Sequence, residues 1–336
     1  MGQRKNSMQL TQDLRPDSTW SLKEVDLPSI PKFFVSSVHY NWVLRREMNI
    51  VDLAVSATEK CDLALDVGMN DGFYSQLLAA RGCEVHSFEI QPRCIEVSCM
   101  VTAANNFRNK INIYESPVTA KHGDVVVIPV GNTTTGSCDG GFSFHTLASE
   151  TRGHLPFKRI GERRLFGVKL DELFALETRD ISFMKIDTEG HEFQVLKGAM
   201  GLFERRQITS AVFEANPSFW REEDTASANV LDAIINFGYH LKCSKTDFKL
   251  KEASDIFSRP GDCGIDIFIV RDANFPVETS THRHKTPLLS GQNHLLLALL
   301  AAFLLIVALR RRTPRPWLQI PPTNVRNIFH YKETTK

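Results

Sequence analysis

The chain has 336 residues, 42% of them hydrophobic, which suits one sizeable domain with appendages and excludes a disordered polypeptide. Its 40 Lys+Arg against 39 Asp+Glu leave a formal charge of +1, so it lacks the basic field that polynucleotide binding relies on, and nucleic acid is not a favoured partner. The 7 cysteines are odd in number and scattered without a C-x-x-C pair, which argues against a zinc site or redox motif and predicts reduced thiols, several in the core.

Residues 1–18 are polar, carry no apolar run that could act as a secretory signal, and read as a flexible tail. A helical lead-in is predicted over 19–60 from the spacing of Leu44, Met48, Val51 and Val55. From 61 to 272, short apolar runs at 63–67, 84–89, 111–114, 181–186, 209–214, 239–243 and 265–270 alternate with amphipathic stretches. That alternation predicts an α/β fold: a doubly wound, mostly parallel, seven-stranded sheet. An insert at 118–168 interrupts it with an apolar strand over 125–130 and a loop rich in Gly, Ser and Thr. A long loop in a compact domain is a candidate lid, here over the acceptor, with 140–145 selecting it.

A polar linker over 273–293 leads to a candidate transmembrane anchor at 294–312 and a polar tail at 313–336. The unbroken run LLLALLAAFLLIVAL ends at Arg310, Arg311 and Arg312. As a helix it spans ~22 Å, short of the ~27 Å core of a thin membrane. Its length suits a buried core helix, but it is apolar on every face and lies beyond the last strand, which favours a single-pass C-terminal anchor. The positive-inside tendency would place the arginines in the cytosol and the domain across the membrane. The lack of a signal peptide, with Arg283 and Lys285 on the near side, favours instead a catalytic domain in the cytosol.

The most informative segment is LALDVGMNDGFYS: a strand with Asp66 near its carboxyl end, then Gly68 and Gly72 framing a turn into a helix. In doubly wound sheets ligands bind beyond the carboxyl ends of the strands, where glycine admits a close ligand and Asp66 or Asn70 can accept from an amino group. The second strand ends at Glu89, placed to grip both hydroxyls of an adenosine ribose. A dinucleotide reading wants G-x-G-x-x-G, but Met69 and Asn70 leave only a spaced glycine pair, and Asp71 would meet the diphosphate. Further on, ISFMKIDTEGHEFQVLKGA sets Asp187, Glu189, His191 and Glu192 after a strand, and SAVFEANP adds Glu214. Acids here can also cap helices or pair with Lys185, and His191 in a first helical turn suits a structural role as well as a catalytic one.

Together DVGMNDGFYS, FEIQP, VKLDELF, KIDTEGHEFQVLKGA and VFEANP resemble the FkbM family of S-adenosylmethionine-dependent methyltransferases over about 210 residues. The resemblance implies a class I methyltransferase fold with S-adenosylmethionine as cofactor and O-methylation of a small-molecule, glycan or lipid-linked hydroxyl. It implies that Asp66, Gly68, Asn70, Gly72, Phe73, Tyr74 and Ser75 form the cofactor loop, that Glu89 holds the ribose, and that Asp187, Glu189 and Glu214 face the acceptor. FEIQP, with Gln91 before Pro92, departs from the family's FEP. Asp187 is the expected base or acceptor-orienting group, assisted by Glu189 and Glu214, with His191 the second choice. No metal is assigned, although such a carboxylate cluster could instead hold a divalent cation. Competing readings are a non-catalytic, membrane-bound interaction module and an NAD(P)-dependent oxidoreductase.

Overall fold

The structure, a computed structural model, describes residues 20–131, 138, 159–216, 228–246, 248–258 and 266–275. The chain forms two compact units, Met1–Phe275 and Pro276–Lys336. The second, with the candidate anchor, the polar tail and most of the linker, lies outside the described residues, as do the N-terminal tail and much of the insert. Among the described residues no helix is long and apolar enough to cross a membrane.

The centre of the first unit is β3 (Leu63–Val67), five buried residues in a row. A strand buried on both faces needs helices above and below it, and the parallel neighbours of β3 supply the crossovers. On one side lie β4 (Glu84–Glu89) and β5 (Ile111–Glu115), and on the other β8 (Ile181–Ile186) and β9 (Ser210–Glu214). Then β12 (Asp266–Arg271) enters antiparallel between β9 and β10 (Tyr239–Cys243), and the two-residue β11 (Lys249–Leu250) closes the edge. The order is β11-β10-β12-β9-β8-β3-β4-β5. All seven expected strands are present, within a residue or two of the expected bounds, and the short β11 adds an eighth. The winding reverses between β3 and β8, whose carboxyl ends are joined by Asp187 N donating to Val67 O at 2.9 Å. Ligands bind at such a switch point.

One face of the sheet, with Leu63, Leu65 and Val67, packs on Phe193, Leu196, Leu202 and Leu231 from the later helices. The other face, with Ala64, Val85, Phe183 and Val212, packs on α3 (Phe73–Ala80) and the N-terminal lead-in. All eight residues of α3 are buried, so its sequence carries no polar stripe. The lead-in, expected as helical, opens with a hairpin of β1 (Leu22–Val25) and β2 (Phe33–Ser36). Ser36 then caps α1 (Ser37–Arg46), its side chain accepting from Val38 N. Glu47 breaks the helix before α2 (Met48–Ala57), so the apolar stripe through Leu44, Met48, Val51 and Val55 bends across two helices. The insert leaves and returns at a Val118–Val168 bridge, with β6 (Val125–Gly131) and β7 (Arg159–Phe166) paired as a separate two-stranded arm.

The expectation of reduced thiols is corrected. Cys61 bonds to Cys83, Cys94 to Cys138, and Cys243 is also in a disulfide, while Cys99 is the free cysteine among the described residues. The partners lie 22 and 44 residues apart, a spacing that only the tertiary fold makes into neighbours.

Candidate active site

Two cavities meet at the switch point. The smaller, about 80 Å³, opens between the turn after β3 and the ends of β4 and β5, against Gly68, Asn70, Glu89, Ile90, Gln91 and Val118. The larger, about 450 Å³, lies between α1, α3 and the ends of β8, β9 and β12. Gly68, Asn70, Asp187 and Glu189 line both.

The backbone at the junction is tightly built. Gly68 has φ +77, and a Cβ there would lie 1.8 Å from Asp187 O, so its glycine is required by the approach of β8 as much as by any ligand. Asn70, with φ 54, donates its backbone N–H to Glu89 Oε2 at 2.8 Å, while Glu89 Oε1 accepts from Ile90 N and Gln91 N. Burial raises the Glu89 carboxyl above its ordinary range, opposed by those amides. At the end of β8, Glu189 (φ 55) and Gly190 (φ 107) turn the chain through two left-handed residues. For a non-glycine this costs about 1–2 kcal/mol. Glu192 serves the backbone: its Oε1 accepts from Thr188 N, Thr188 Oγ1 and Gly190 N.

The larger cavity is rich in carboxylates: Glu47, Asp71, Asp187, Glu189, Glu214 and Asp266 line it, and Lys185 and His39 are the basic residues among its described lining. Lys185, 6% exposed, donates to Asp187 Oδ2 at 2.7 Å. Burial opposes its charge, but Asp187, Asp66 and Glu47 outweigh that and hold its pKa above the usual lysine range. Asp71 lies 3.7 Å from His39 Nδ1, while three of the other acids are pushed upward. Burial, then Asp187 and Glu192, pushes Glu189 to about 8. Burial, then Asp187 and Glu189, pushes Glu214 to about 10, and burial with Glu47 and Asp187 pushes Asp266 to about 7. One ligand oxygen from each of Asp187, Glu189 and Glu214 lies within 4.8 Å of the others, a spacing that a divalent cation would suit.

The cofactor-loop expectations divide. Asn70, Gly68 and Glu89 line the smaller cavity, but Phe73 and Tyr74 face the larger one. Gly72, Ser75 and Asp66 line neither cavity. Asp66 is fully buried below the loop and accepts from Ser75 Oγ at 2.6 Å, while Ser75 also meets Ser87 at 2.8 Å. Among the acceptor-side expectations, Asp187 and Glu189 stand between the cavities, Glu214 faces the larger one, and His191 faces the smaller one. Sequence reasoning missed the contribution of the lead-in. Glu47, at the break between α1 and α2, accepts from Tyr74 OH at 2.8 Å and Trp42 Nε1 at 2.9 Å. Asp71 accepts from Ser36 Oγ and from His39 N, so the acid within the glycine loop ties α1 over the site. Asp266 was missed because β12 runs antiparallel: its first residue, paired with Glu214, lies at the edge where the parallel strands end.

The Methyltransferase FkbM domain matches residues 66–241, just over half of the chain. The chain belongs to this family of methyltransferases. No curated protein matches it. Among solved structures it is similar to an rRNA methylase from Streptococcus thermophilus (9% identity, TM-score 0.35, 66% of this chain and 92% of that chain). It is also similar to a precorrin-6y C5,15-methyltransferase from Geobacter metallireducens (12%, 0.31, 67% and 86%) and to a SAM-dependent methyltransferase from Agrobacterium tumefaciens (11%, 0.31, 59% and 54%).

Proposed function

We propose that the chain methylates a hydroxyl group on a small-molecule, glycan or lipid-linked acceptor, using S-adenosylmethionine held in the smaller cavity. The observation that carries this reading is the meeting of the two cavities at Gly68, Asn70, Asp187 and Glu189, a donor pocket opening onto a carboxylate-lined acceptor pocket. The residues fit the cofactor: Glu89 can accept from ribose hydroxyls, and no lysine or arginine is among the described residues lining the smaller cavity, which disfavours the diphosphate of a dinucleotide. When bound, S-adenosylmethionine supplies an electrophilic methyl group.

The protein's part is to orient the acceptor, exclude water and take the hydroxyl proton. Asp187 is held by Lys185, which suits it to orient the acceptor. Glu189, at about 8, is the group balanced near neutrality to receive a proton, and Glu214, at about 10, holds its own proton and can donate a hydrogen bond. His191, on the donor side, is less well placed as a base. Isothermal titration of S-adenosylmethionine and S-adenosylhomocysteine, with Glu89→Ala as control, tests the reading. Saturable binding lost in the variant supports it, and a folded protein that binds neither overturns it.

The apolar run LLLALLAAFLLIVAL, residues 295–309, supports a membrane tether. The disulfides favour one side: such bonds persist in oxidising compartments and are rare in the cytosol. With Arg310, Arg311 and Arg312 retained in the cytosol, the catalytic domain lies on the luminal or extracellular face, opposite to the sequence expectation. Protease digestion of sealed vesicles distinguishes the two: a luminal domain is protected until detergent is added, and digestion without detergent refutes this orientation.

A further inference from the structure

The Cys94–Cys138 bridge has a position that the other described disulfide does not share. Cys94 lies in the first turn of α4 (Pro92–Ala104), five residues after Glu89, and Cys138 comes from the insert. Both are buried. The bridge packs against the side chain of Asn70, with Asn70 Oδ1 2.7 Å from Cys138 Sγ and 3.7 Å from Cys94 Sγ. Asn70 is the left-handed residue whose N–H reaches Glu89 and whose side chain faces both cavities. Cys61–Cys83, by contrast, joins the chain before β3 to the chain before β4, at the opposite end of those strands from the cavities.

We infer that Cys94 and Cys138 are positioning residues for the cofactor loop: their disulfide holds Asn70 in its left-handed conformation against Glu89, so that donor binding depends on a closed bridge. The inference rests on the donor reading of the smaller cavity. A left-handed asparagine is a sparsely populated state that persists only where its surroundings enforce it. Here one wall is the sulfur pair and another is the Glu89 carboxylate. A dithiol reductant that opens the bridge is itself oxidised to a disulfide and leaves two thiols, at Cys94 and Cys138. With the covalent link gone, α4 and the insert are no longer tied across Asn70, and ordering the loop then falls on ligand binding, which weakens it.

The test is the affinity of S-adenosylhomocysteine for the full chain in detergent, measured by titration calorimetry for the native protein, Cys94→Ser/Cys138→Ser and the control pair Cys61→Ser/Cys83→Ser. The expected result is a loss of about tenfold or more for the first pair and a change below about threefold for the control. Asn70→Ala, alone and combined with the first pair, completes a double-mutant cycle. A positioning role makes the effects non-additive, whereas a merely structural bridge leaves them additive. If the first pair does not fold, titrating the native protein with dithiothreitol, with mass-spectrometric assignment of the bridge opened and circular dichroism to confirm the fold, gives the same comparison. Native-like affinity with Cys94–Cys138 open, or additive effects in the cycle, overturns the inference. Failure of the oxidised native protein to bind at all overturns the donor reading itself and this inference with it.

Discussion

Glu214→Gln is expected to stabilise the ligand-free protein, with a sign and pH range set by the carboxylate cluster. Glu214 sits at the end of β9 with its carboxyl pushed to about 10 by burial and by Asp187, Glu189 and Glu192. In the unfolded chain the same group ionises near 4.5. Between these values the folded state keeps a proton that the unfolded state has lost. The stability contribution is therefore fully present below about pH 4.5 and declines as pH rises toward about 10. At pH 7 the cost of holding the proton is at most about 3.5 kcal/mol, from about 1.4 kcal/mol for each of the 2.5 pH units above 4.5. Solvent reaches part of the cavity, which reduces the expected gain to about 1–2 kcal/mol. Glutamine keeps the shape and has no such proton to lose. The assay is urea denaturation of both proteins from pH 4.5 to 8.5. The curves should converge at the acid end and separate as pH rises, with the variant more stable. A variant less stable than the native protein at pH 7–8, or a constant difference across the range, would refute the reasoning.

Gly68→Ala should lose about 3 kcal/mol or more, since its Cβ would meet Asp187 O and its φ of +77 disfavours any side chain. Denaturation and S-adenosylhomocysteine titration check this, and native values in both would show that β8 yields easily. Asp71→Ala removes the acceptor for Ser36 Oγ and His39 N and should cost about 2 kcal/mol while raising amide exchange in α1. Unchanged exchange there would count against a tether role. Asp187→Asn should keep cofactor affinity within about threefold and lower turnover, at a stability cost below the ~3–5 kcal/mol of a fully buried pair because Asp187 is 36% exposed. Turnover equal to the native enzyme's would remove Asp187 from the reaction.

The parallel part of the sheet was legible because each strand is a short apolar run between helical stretches, and because a chain entering and leaving the sheet centre must reverse near Gly68. The place of Glu89 was legible for the same reason: an acid at the end of β4 stands at the carboxyl edge of the sheet, where it lines the smaller cavity. What was not legible depends on contacts between segments far apart in sequence. Glu47 looks like an ordinary surface glutamate in a helical stretch until α1 and α2 bend around it and Trp42 and Tyr74 close on its two oxygens. Asp266 begins its strand, and only the antiparallel direction of β12 brings it beside Glu214. Tyr74 follows the glycine loop in sequence, yet the helix it begins turns its ring toward the acceptor side, where Lys185 Nζ lies 5.1 Å above it. The disulfides depend wholly on tertiary proximity.

The family domain covers 66–241, but the larger cavity is walled from both sides of that span, by His39, Trp42 and Glu47 before it and Asp266 after it. The donor wall and the junction residues fall inside the span. The flanking segments are fastened to the matched span by Asp71, which accepts from Ser36 Oγ and His39 N, and by Tyr74, whose hydroxyl donates to Glu47. The carboxylates fit the same division. Asp187 and Glu189 belong to the motif and stand at the junction, whereas Glu47 and Asp266 deepen the negative character of the acceptor side only. Burying that many acids beside one lysine opposes stability, so the Glu214→Gln comparison reads directly how much the fold gives up to hold them in one cavity.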